Sequence, residues 1–198
     1  MEFILASSNP HKAEEFSVLF EGKLKVIPAA SSLEVDETGL TFQENAFLKA
    51  QAYYKKFKVP TLADDSGLVL DGLPELLGVQ SARFAPELPS YTDKCQKLLD
   101  TYEEKGIKDR GAYFVCVLCF YLSDEEVYFF EGRMKGEIAH EISGTHGFGY
   151  DPVFIPEGKT MSVANLPEWK NEFSHRARAV KNALSFFKEI VDKADKKH

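Results

Sequence analysis

The chain has 198 residues, of which 44% are hydrophobic and 13% aromatic, so it can bury a sizeable core and is typical of a folded globular protein, not a disordered one. Its 31 acidic residues outnumber 24 basic ones and give a net charge of -7, which argues against broad electrostatic binding to nucleic acid or to an anionic membrane. No apolar run approaches the ~20 residues of a membrane span and no signal peptide is visible, so we expect one cytoplasmic domain over residues 1–198.

The N-terminal segment predicts a strand, a polar turn and a helix. The strand is Phe3–Ala6, and the helix runs to about Phe20 because an asparagine suits the N-cap and a proline the first helical position. Backbone N–H groups and the dipole at a helix start favour phosphate, although the glycines of a Walker A loop are absent. An ordinary capped helix with a surface lysine is the alternative. The candidate phosphate-binding residues are Ser7, Ser8, Asn9, Pro10, His11 and Lys12.

An acidic loop follows a second strand at Leu24–Ile27. Glu37 lies in this loop, shortly before the capping box of Thr41 and Glu44 that opens a helix to about Phe57. Lys49 lies two turns into that helix. Because the cap holds the loop in place, a carboxylate in it can help to bind Mg²⁺, which needs few protein ligands.

The stretch Asp64-Asp65-Ser66-Gly67 follows an apolar run that predicts a buried strand over Val59–Ala63. Ligands of open α/β sheets bind beyond the carboxyl ends of strands, so we expect chemistry at this point. Two adjacent aspartates repel each other, and a metal ion would relieve that cost. An Asx turn is the structural alternative. Leu68–Leu70 then predicts an edge strand.

The second half predicts one more helix and a hairpin. Ser90 caps a helix that continues to Lys105, and strands at Ala112–Leu122 and Val127–Phe130 form an antiparallel pair. Helix crossovers early in the chain and a hairpin later predict a mixed sheet. Cys116 and Cys119 point to opposite faces of their strand, which favours core thiols over a metal site.

Two later stretches are candidates for ligand contact. The segment Gly144–Pro152 contains three glycines, which allow close approach to a ligand, and two aromatic residues that can stack on a flat base. A hairpin turn with core aromatics is the alternative. A helix is predicted behind Ser174, and His175 and Arg176 place cations at its start, where the dipole disfavours them.

These motifs together resemble the inosine triphosphate pyrophosphatase family, the XTP/dITP diphosphatases. Seven motifs occur in order over residues 7–176: Ser7-x-Asn9-x-x-Lys12, Glu37-Thr38-Gly39, Glu44-Asn45-Ala46 with Lys49, Ala63–Gly67, Ser81-Ala82-Arg83, Phe148–Pro152, and Lys170-Asn171 with Ser174–Arg176. The resemblance implies an α/β fold with an elongated mixed sheet flanked by helices, in two lobes with a central cleft. It also implies Mg²⁺ dependence, a homodimer, and hydrolysis of dITP, ITP or XTP to the monophosphate and pyrophosphate.

The resemblance also suggests roles for the candidate residues. It assigns Asp65 as the proton acceptor for the attacking water. We place Glu37 and Asp65 on the metal, and Lys12, Lys49 and Ser66 around the triphosphate.

The nucleobase is expected to meet a different set of side chains. Donors on Lys170, His175 or Arg176 would pair with the C6 keto oxygen that adenine lacks. The remaining candidates are aromatic, acidic or glycine residues of one loop: Phe148, Gly149, Tyr150 and Asp151.

Three other functions stay open at this point. Asp65-Ser66-Gly67 matches the short signature of aspartic proteases, although that class is nearly all β. A non-catalytic nucleotide-binding module would keep the basic and aromatic residues without needing Glu37 together with Asp65. A related pyrophosphatase could act on pyrimidine or methylated nucleotides.

Overall fold

The computed structural model describes residues 2–195, and side chains at positions 2–189. The strands of the described chain are β1 (Glu2–Ala6), β2 (Lys25–Pro28), β3 (Thr61–Leu70), β4 (Gly111–Ser123), β5 (Glu126–Ile138) and β6 (Phe154–Pro156). The α-helices are α1 (Pro10–Phe20), α2 (Phe42–Phe57), α3 (Tyr91–Glu104), α4 (Pro167–Phe173) and α5 (His175–Asp195). Short 3₁₀ helices cover Gly78–Arg83, Asp151–Val153 and Val163–Asn165.

The strands form a mixed sheet in the order β2-β1-β3-β4-β5-β6. β1 pairs in parallel with both β2 and β3, whereas β5 and β6 are antiparallel. β4 and β5 are neighbours joined by two residues, as a hairpin requires. The predicted α/β class with a mixed sheet and helices is therefore confirmed.

The chain divides into two compact units, each built from separate segments. The first comprises the chain up to Asp65, Cys116–Gly132 and the chain from His175 onward, and the second comprises Ser66–Val115 and Arg133–Ser174. β3, β4 and β5 each contribute residues to both units. The expectation of a single domain over residues 1–198 stays a prediction.

In the first unit, strand alternation places successive residues in two separate cores. Phe3, Leu5 and Leu62 pack in the cluster that contains residues of α1 and α5, whereas Ile4 and Ala63 pack in the cluster that contains residues of α2. Because side chains alternate along a strand, the next two residues of β3 are directed to these same two faces in turn. This alternation separates the two aspartates of the chain's most unusual motif.

The second unit has its own core. Residues of α3, among them Cys95, Leu98 and Tyr102, pack with strand residues such as Phe114 and Phe154.

The three cysteines are free and buried, with Cys116 and Cys119 in the two different clusters of the first unit. The predicted core thiols on opposite strand faces are thus confirmed. Over the described residues, no helix is both long and apolar enough to cross a membrane.

Three elements differ from the sequence predictions. β3 does not end at Ala63 but continues through Asp64–Gly67 to Leu70, and it lies between β1 and β4, so Leu68–Leu70 is not an edge strand. β5 extends to Ile138, well past the predicted Phe130. A short helix, α4, precedes α5 where none was predicted.

Candidate active site

Asp64 lies on the face of β3 that carries residues of α1 and α5. Its Oδ2 is 2.9 Å from Nζ of Lys12, and its side chain is 1% exposed. Burial opposes ionisation, but Lys12, then Arg176 and Lys49, hold the pKa of the Asp64 carboxyl at about 2. These cations explain why the strand can continue through a buried carboxylate.

Asp65 points to the opposite face, towards α2. Its Oδ2 accepts a hydrogen bond from Nδ2 of Asn45 at 3.1 Å, in a buried position. Burial raises the pKa of Asp65 to about 6 against the opposing effect of Lys49 and Lys12, and Glu37 and Asp64 raise it further. The two adjacent carboxyls therefore have different pKa values, about 2 for Asp64 and about 6 for Asp65, because their surroundings differ.

Lys49 links the acidic loop to β3. Its Nζ lies 2.5 Å from Oε1 of Glu37 and donates to the backbone oxygen of Asp64 at 3.0 Å. Burial disfavours the Lys49 ammonium, but Asp64, Glu37 and Asp65 together raise its pKa. The structure thus brings together four of the predicted residues: Lys12, Glu37, Lys49 and Asp65.

The donor set near Lys49 suits a hard cation. Glu37 lies close enough to Asp65 to raise the pKa of the Asp65 carboxyl. Two carboxylates supply the oxygen ligands that Mg²⁺ takes from protein, with water and phosphate completing its shell. In the part of the chain that the structure describes, no three His, Cys, Asp or Glu side chains form a metal-binding group. Two carboxylates near each other would fit an ion whose remaining ligands are water and the phosphates of a substrate.

The turn before α1 is ordered by its own asparagine. Asn9 Oδ1 accepts from the backbone N–H groups of His11 and Lys12 at 3.0 and 3.3 Å, and its own N–H donates to Oγ of Ser7. The predicted N-cap at Asn9 is confirmed. Because that cap already uses two amides of the helix start, the side chain of Lys12 is the main source of positive charge there.

The second unit contains a separate cluster around Asp151. Oδ2 of this buried residue accepts from Nζ of Lys170 at 2.8 Å and from the backbone N–H of Phe148 at 2.9 Å. The Lys170 ammonium lies 4.7 Å from the centroid of the Phe148 ring. Gly147 has φ +79°, and a Cβ on it would lie 2.1 Å from Asp151 Oδ2, so a glycine is needed there. Asp151 thus holds the Lys170 ammonium of α4 next to the Phe148 ring of the loop.

The remaining predicted residues lie in different places. Tyr150 is 3% exposed and packs in the core of the second unit, with its hydroxyl donating to the backbone oxygen of Ser81 at 2.8 Å. The alternative of a core aromatic therefore describes Tyr150 better than a stacking ring. Gly149 precedes it with φ +66°, and Ser66 lies half-buried on β3.

His175 and Arg176 begin α5, directly after Ser174 as predicted. Both are buried, and Nη1 of Arg176 lies 2.9 Å from Oε2 of Glu15 on α1. Together with its effect on the pKa of Asp64, this contact groups Arg176 with the charged residues of the first unit. Gly132 on β5 permits this packing, because a Cβ there would lie 2.2 Å from the backbone oxygen of His175.

Asn45 is the main residue for which sequence reasoning gave no role. It is 1% exposed; its Nδ2 donates to Asp65, and its Oδ1 accepts from the backbone N–H of Gly39 at 2.8 Å. It therefore joins the loop of Glu37 to the carboxyl of Asp65. The sequence signal for such a role was the position of Asn45 in the first turn of a capped helix, where a buried side-chain amide needs hydrogen-bond partners.

Replacing Asn45 with alanine is expected to lower kcat by about 10–100-fold if Asp65 binds the metal ion as predicted, because the hydrogen bond that orients Asp65 is lost. Steady-state hydrolysis of dITP, the reaction that the resemblance implies, measures the effect. Gln43→Ala, an exposed residue of the same helical turn, is the matched control and should leave kcat unchanged. An Asn45→Ala variant as active as the control would show that the amide does not position Asp65.

Comparison with known proteins identifies the family of this chain. A dITP/XTP pyrophosphatase of Aquifex aeolicus is 41% identical over 199 aligned positions that cover 95% of this chain and 97% of the relative. One from Porphyromonas gingivalis is 40% identical, covering 93% and 96%. The solved structure of a HAM1 protein from Coxiella burnetii superposes with a TM-score of 0.86 at 37% identity, covering 96% of this chain and 99% of that one. The model of the Ham1 family matches residues 3–186. The chain therefore belongs to the Ham1 family.

Proposed function

We propose that this chain hydrolyses deaminated purine nucleoside triphosphates (dITP, ITP and XTP) to the monophosphate and pyrophosphate with the help of Mg²⁺. The observation that carries the proposal is the convergence of Lys12 and Lys49 on the adjacent aspartates of β3, with Glu37 on the same lysine. Relatives named dITP/XTP pyrophosphatase at about 40% identity over nearly the whole chain support the substrate class.

Lys12 and Lys49 would bind the triphosphate. Both ammonium groups are largely buried, with side chains 15% and 14% exposed, so their charge is weakly screened. Phosphoryl transfer requires mainly positioning and charge neutralisation from the protein. Each lysine would exchange part of its contact with a carboxylate for a phosphate oxygen when the substrate binds.

Asp65 would accept the proton of the attacking water. Water oxygen forms a bond to phosphorus, the anhydride bond between the α and β phosphates breaks, pyrophosphate leaves, and the proton passes to Asp65. Without a bound ion, burial raises the pKa of this carboxyl to about 6, so it is mostly ionised at neutral pH and can take a proton. Glu37 and Asp65 would hold Mg²⁺, which neutralises phosphate charge when bound.

The nucleobase would be selected by cationic donors. Lys170, held over Phe148 by Asp151, can donate to a C6 keto oxygen but would meet the amino group of adenine unfavourably. A buried donor left without a partner costs ~1–3 kcal/mol, which corresponds to roughly 5–150-fold discrimination against ATP per donor. His175 and Arg176 stay candidate donors for the same purpose.

Hydrolysis of dITP, XTP, ATP and GTP, with and without Mg²⁺, tests the proposal. We expect fast turnover of dITP and XTP only, strict dependence on Mg²⁺, and pyrophosphate as the released product. Separate assays for pyrophosphate and orthophosphate identify the bond that is cleaved. ATP turnover at a rate comparable to that of dITP would contradict selection through the C6 oxygen. Binding of dITP without any pyrophosphate release would indicate a non-catalytic module.

The homodimer and the cytoplasmic location are part of the same proposal. Size-exclusion chromatography with light scattering measures the oligomeric state directly.

A further inference from the structure

Tyr91, the first residue of α3, lies beside the loop that contains Phe148. The residue is 40% exposed, whereas most aromatic residues that the structure describes are buried or half-buried. A Cβ added to Gly149 would lie 3.9 Å from Cε1 of Tyr91. The Tyr91 ring also meets the ring of Tyr150 edge to face, with centroids 5.7 Å apart and an interplanar angle of 88°. An exposed ring therefore adjoins the proposed nucleobase loop within one unit.

The position of Tyr91 is fixed by neighbouring groups. Nζ of Lys94 lies 5.3 Å from the centroid of the Tyr91 ring and donates to the backbone oxygen of Ala82 at 3.2 Å. Sγ of Cys95 contacts the backbone oxygen of Gly149 at 3.6 Å. These contacts tie the start of α3 to the loop and to the Gly78–Arg83 segment. A ring held in this way loses little entropy when a ligand stacks on it.

The three aromatic rings near the loop differ in the surface that they offer. Tyr150 is buried in the core, and Phe148 is half-buried with the Lys170 ammonium near its face. Tyr91 has the most exposed ring of the three, and Lys94 adds a positive charge next to it. An exposed aromatic ring beside a cation suits a flat base that carries an anionic phosphate tail.

We infer that Tyr91 is a stacking contact for the purine base, next to Phe148, at a place where the sequence predicts stacking by Phe148 and Tyr150. The inference rests on the proposed function, because it takes a purine nucleotide as the ligand. The ring provides stacking, and the hydroxyl is not required for it. Tyr91→Phe should therefore behave as the wild type, whereas Tyr91→Ala and Tyr91→Leu should not.

The test measures KM and kcat for dITP and the dissociation constants of dIMP and inorganic tripolyphosphate. In Tyr91→Ala and Tyr91→Leu, KM for dITP and Kd for dIMP should rise about 5–50-fold, as expected when one base stack is lost, with kcat changed less than about 3-fold. Kd for tripolyphosphate, which has no base, should stay unchanged. Tyr113→Ala is the matched control, since Tyr113 also lies in the second unit with a cation, Arg133, 5.0 Å from its ring centroid.

Comparison of dIMP with tripolyphosphate distinguishes a contact between Tyr91 and the base from a general structural role of Tyr91. Equal weakening of dIMP and tripolyphosphate binding would show that the ring supports the fold only, and unchanged dIMP binding in both variants would also overturn the inference. Leucine keeps apolar contact with Tyr150, so the Leu variant still tests the inference if the Ala variant does not fold. If the wild type binds dIMP through Tyr91 but does not hydrolyse dITP, the proposed function fails while this inference stands. Absence of any dIMP binding by the wild type would overturn both.

Discussion

Replacing Asp65 with asparagine is expected to lower kcat for dITP by about 10³-fold or more while the protein stays folded. The change removes the proposed proton acceptor, whose contribution to catalysis is typically ~10²–10⁴-fold, and one of two carboxylates proposed for the metal ion. Asparagine keeps the shape of the side chain and an oxygen that can accept from Asn45. Initial rates of pyrophosphate release at saturating Mg²⁺ measure the loss.

The same substitution should make the metal-free protein more stable at neutral pH. Burial raises the pKa of Asp65 from 3.8 to about 6, so the folded state binds this proton more tightly than the unfolded state. The free energy of unfolding contributed by this group therefore falls as pH rises from about 4 to about 6. Asparagine removes that penalty, and we expect a gain of about 1–3 kcal/mol at pH 7, or a rise in Tm of about 2–4 °C per kcal/mol.

Asp71→Asn is the matched control, because Asp71 is exposed and follows directly after β3. It should change neither activity nor the pH dependence of stability. An inactive Asp65→Asn variant that was also destabilised in EDTA would contradict the account, since loss of folding would then explain loss of activity. Thermal unfolding in EDTA between pH 4 and pH 8 distinguishes the two outcomes.

Replacing Lys49 with methionine is expected to lower both activity and stability. Methionine keeps the apolar stem of the side chain but removes the cation that contacts Glu37 and the backbone oxygen of Asp64. Loss of one partner from a buried charged group costs about 3–5 kcal/mol, and loss of an electrostatic donor to a phosphate lowers kcat by about 10²–10³-fold. Chemical denaturation and steady-state kinetics measure the two effects.

Lys55→Met, on the exposed part of the same helix, is the control for Lys49→Met and should be neutral in both assays. A Lys49→Met enzyme with wild-type KM and kcat would show that Lys49 stabilises the acidic loop without binding substrate. A variant that loses activity but keeps full stability would contradict the buried contacts with Glu37 and Asp64.

Local signals in the sequence were sufficient for most helix boundaries. Asn9 followed by Pro10, and Thr41 followed by Glu44, each predicted a helix start that the structure has, because capping depends on residues within one turn. The grouping of Lys12, Glu37, Lys49 and Asp65 also followed from motif order. These residues are far apart in sequence, so the resemblance to a family contributed more to that grouping than spacing did.

The errors arose where tertiary contacts override local preference. Two aspartates and a glycine predict a strand end, yet β3 continues because Lys12 and Lys49 lie against Asp64. The ring of Tyr150 lies in the core of the second unit, and no local pattern distinguishes such a ring from one that stacks on a base. No local pattern could show that Asn45 would bridge Gly39 and Asp65, because the partners of a buried amide are set only by the fold.

The central claim is that Glu37 and Asp65 hold a magnesium ion together with the triphosphate. The concentration of Mg²⁺ that gives half-maximal dITP hydrolysis, measured for Glu37→Gln and for Glu34→Gln, tests it most directly. Glu34 is exposed in the same loop and serves as the control. We expect the half-maximal concentration to rise about 10–100-fold in Glu37→Gln and to stay unchanged in Glu34→Gln. An unchanged Mg²⁺ requirement in Glu37→Gln would contradict the claim.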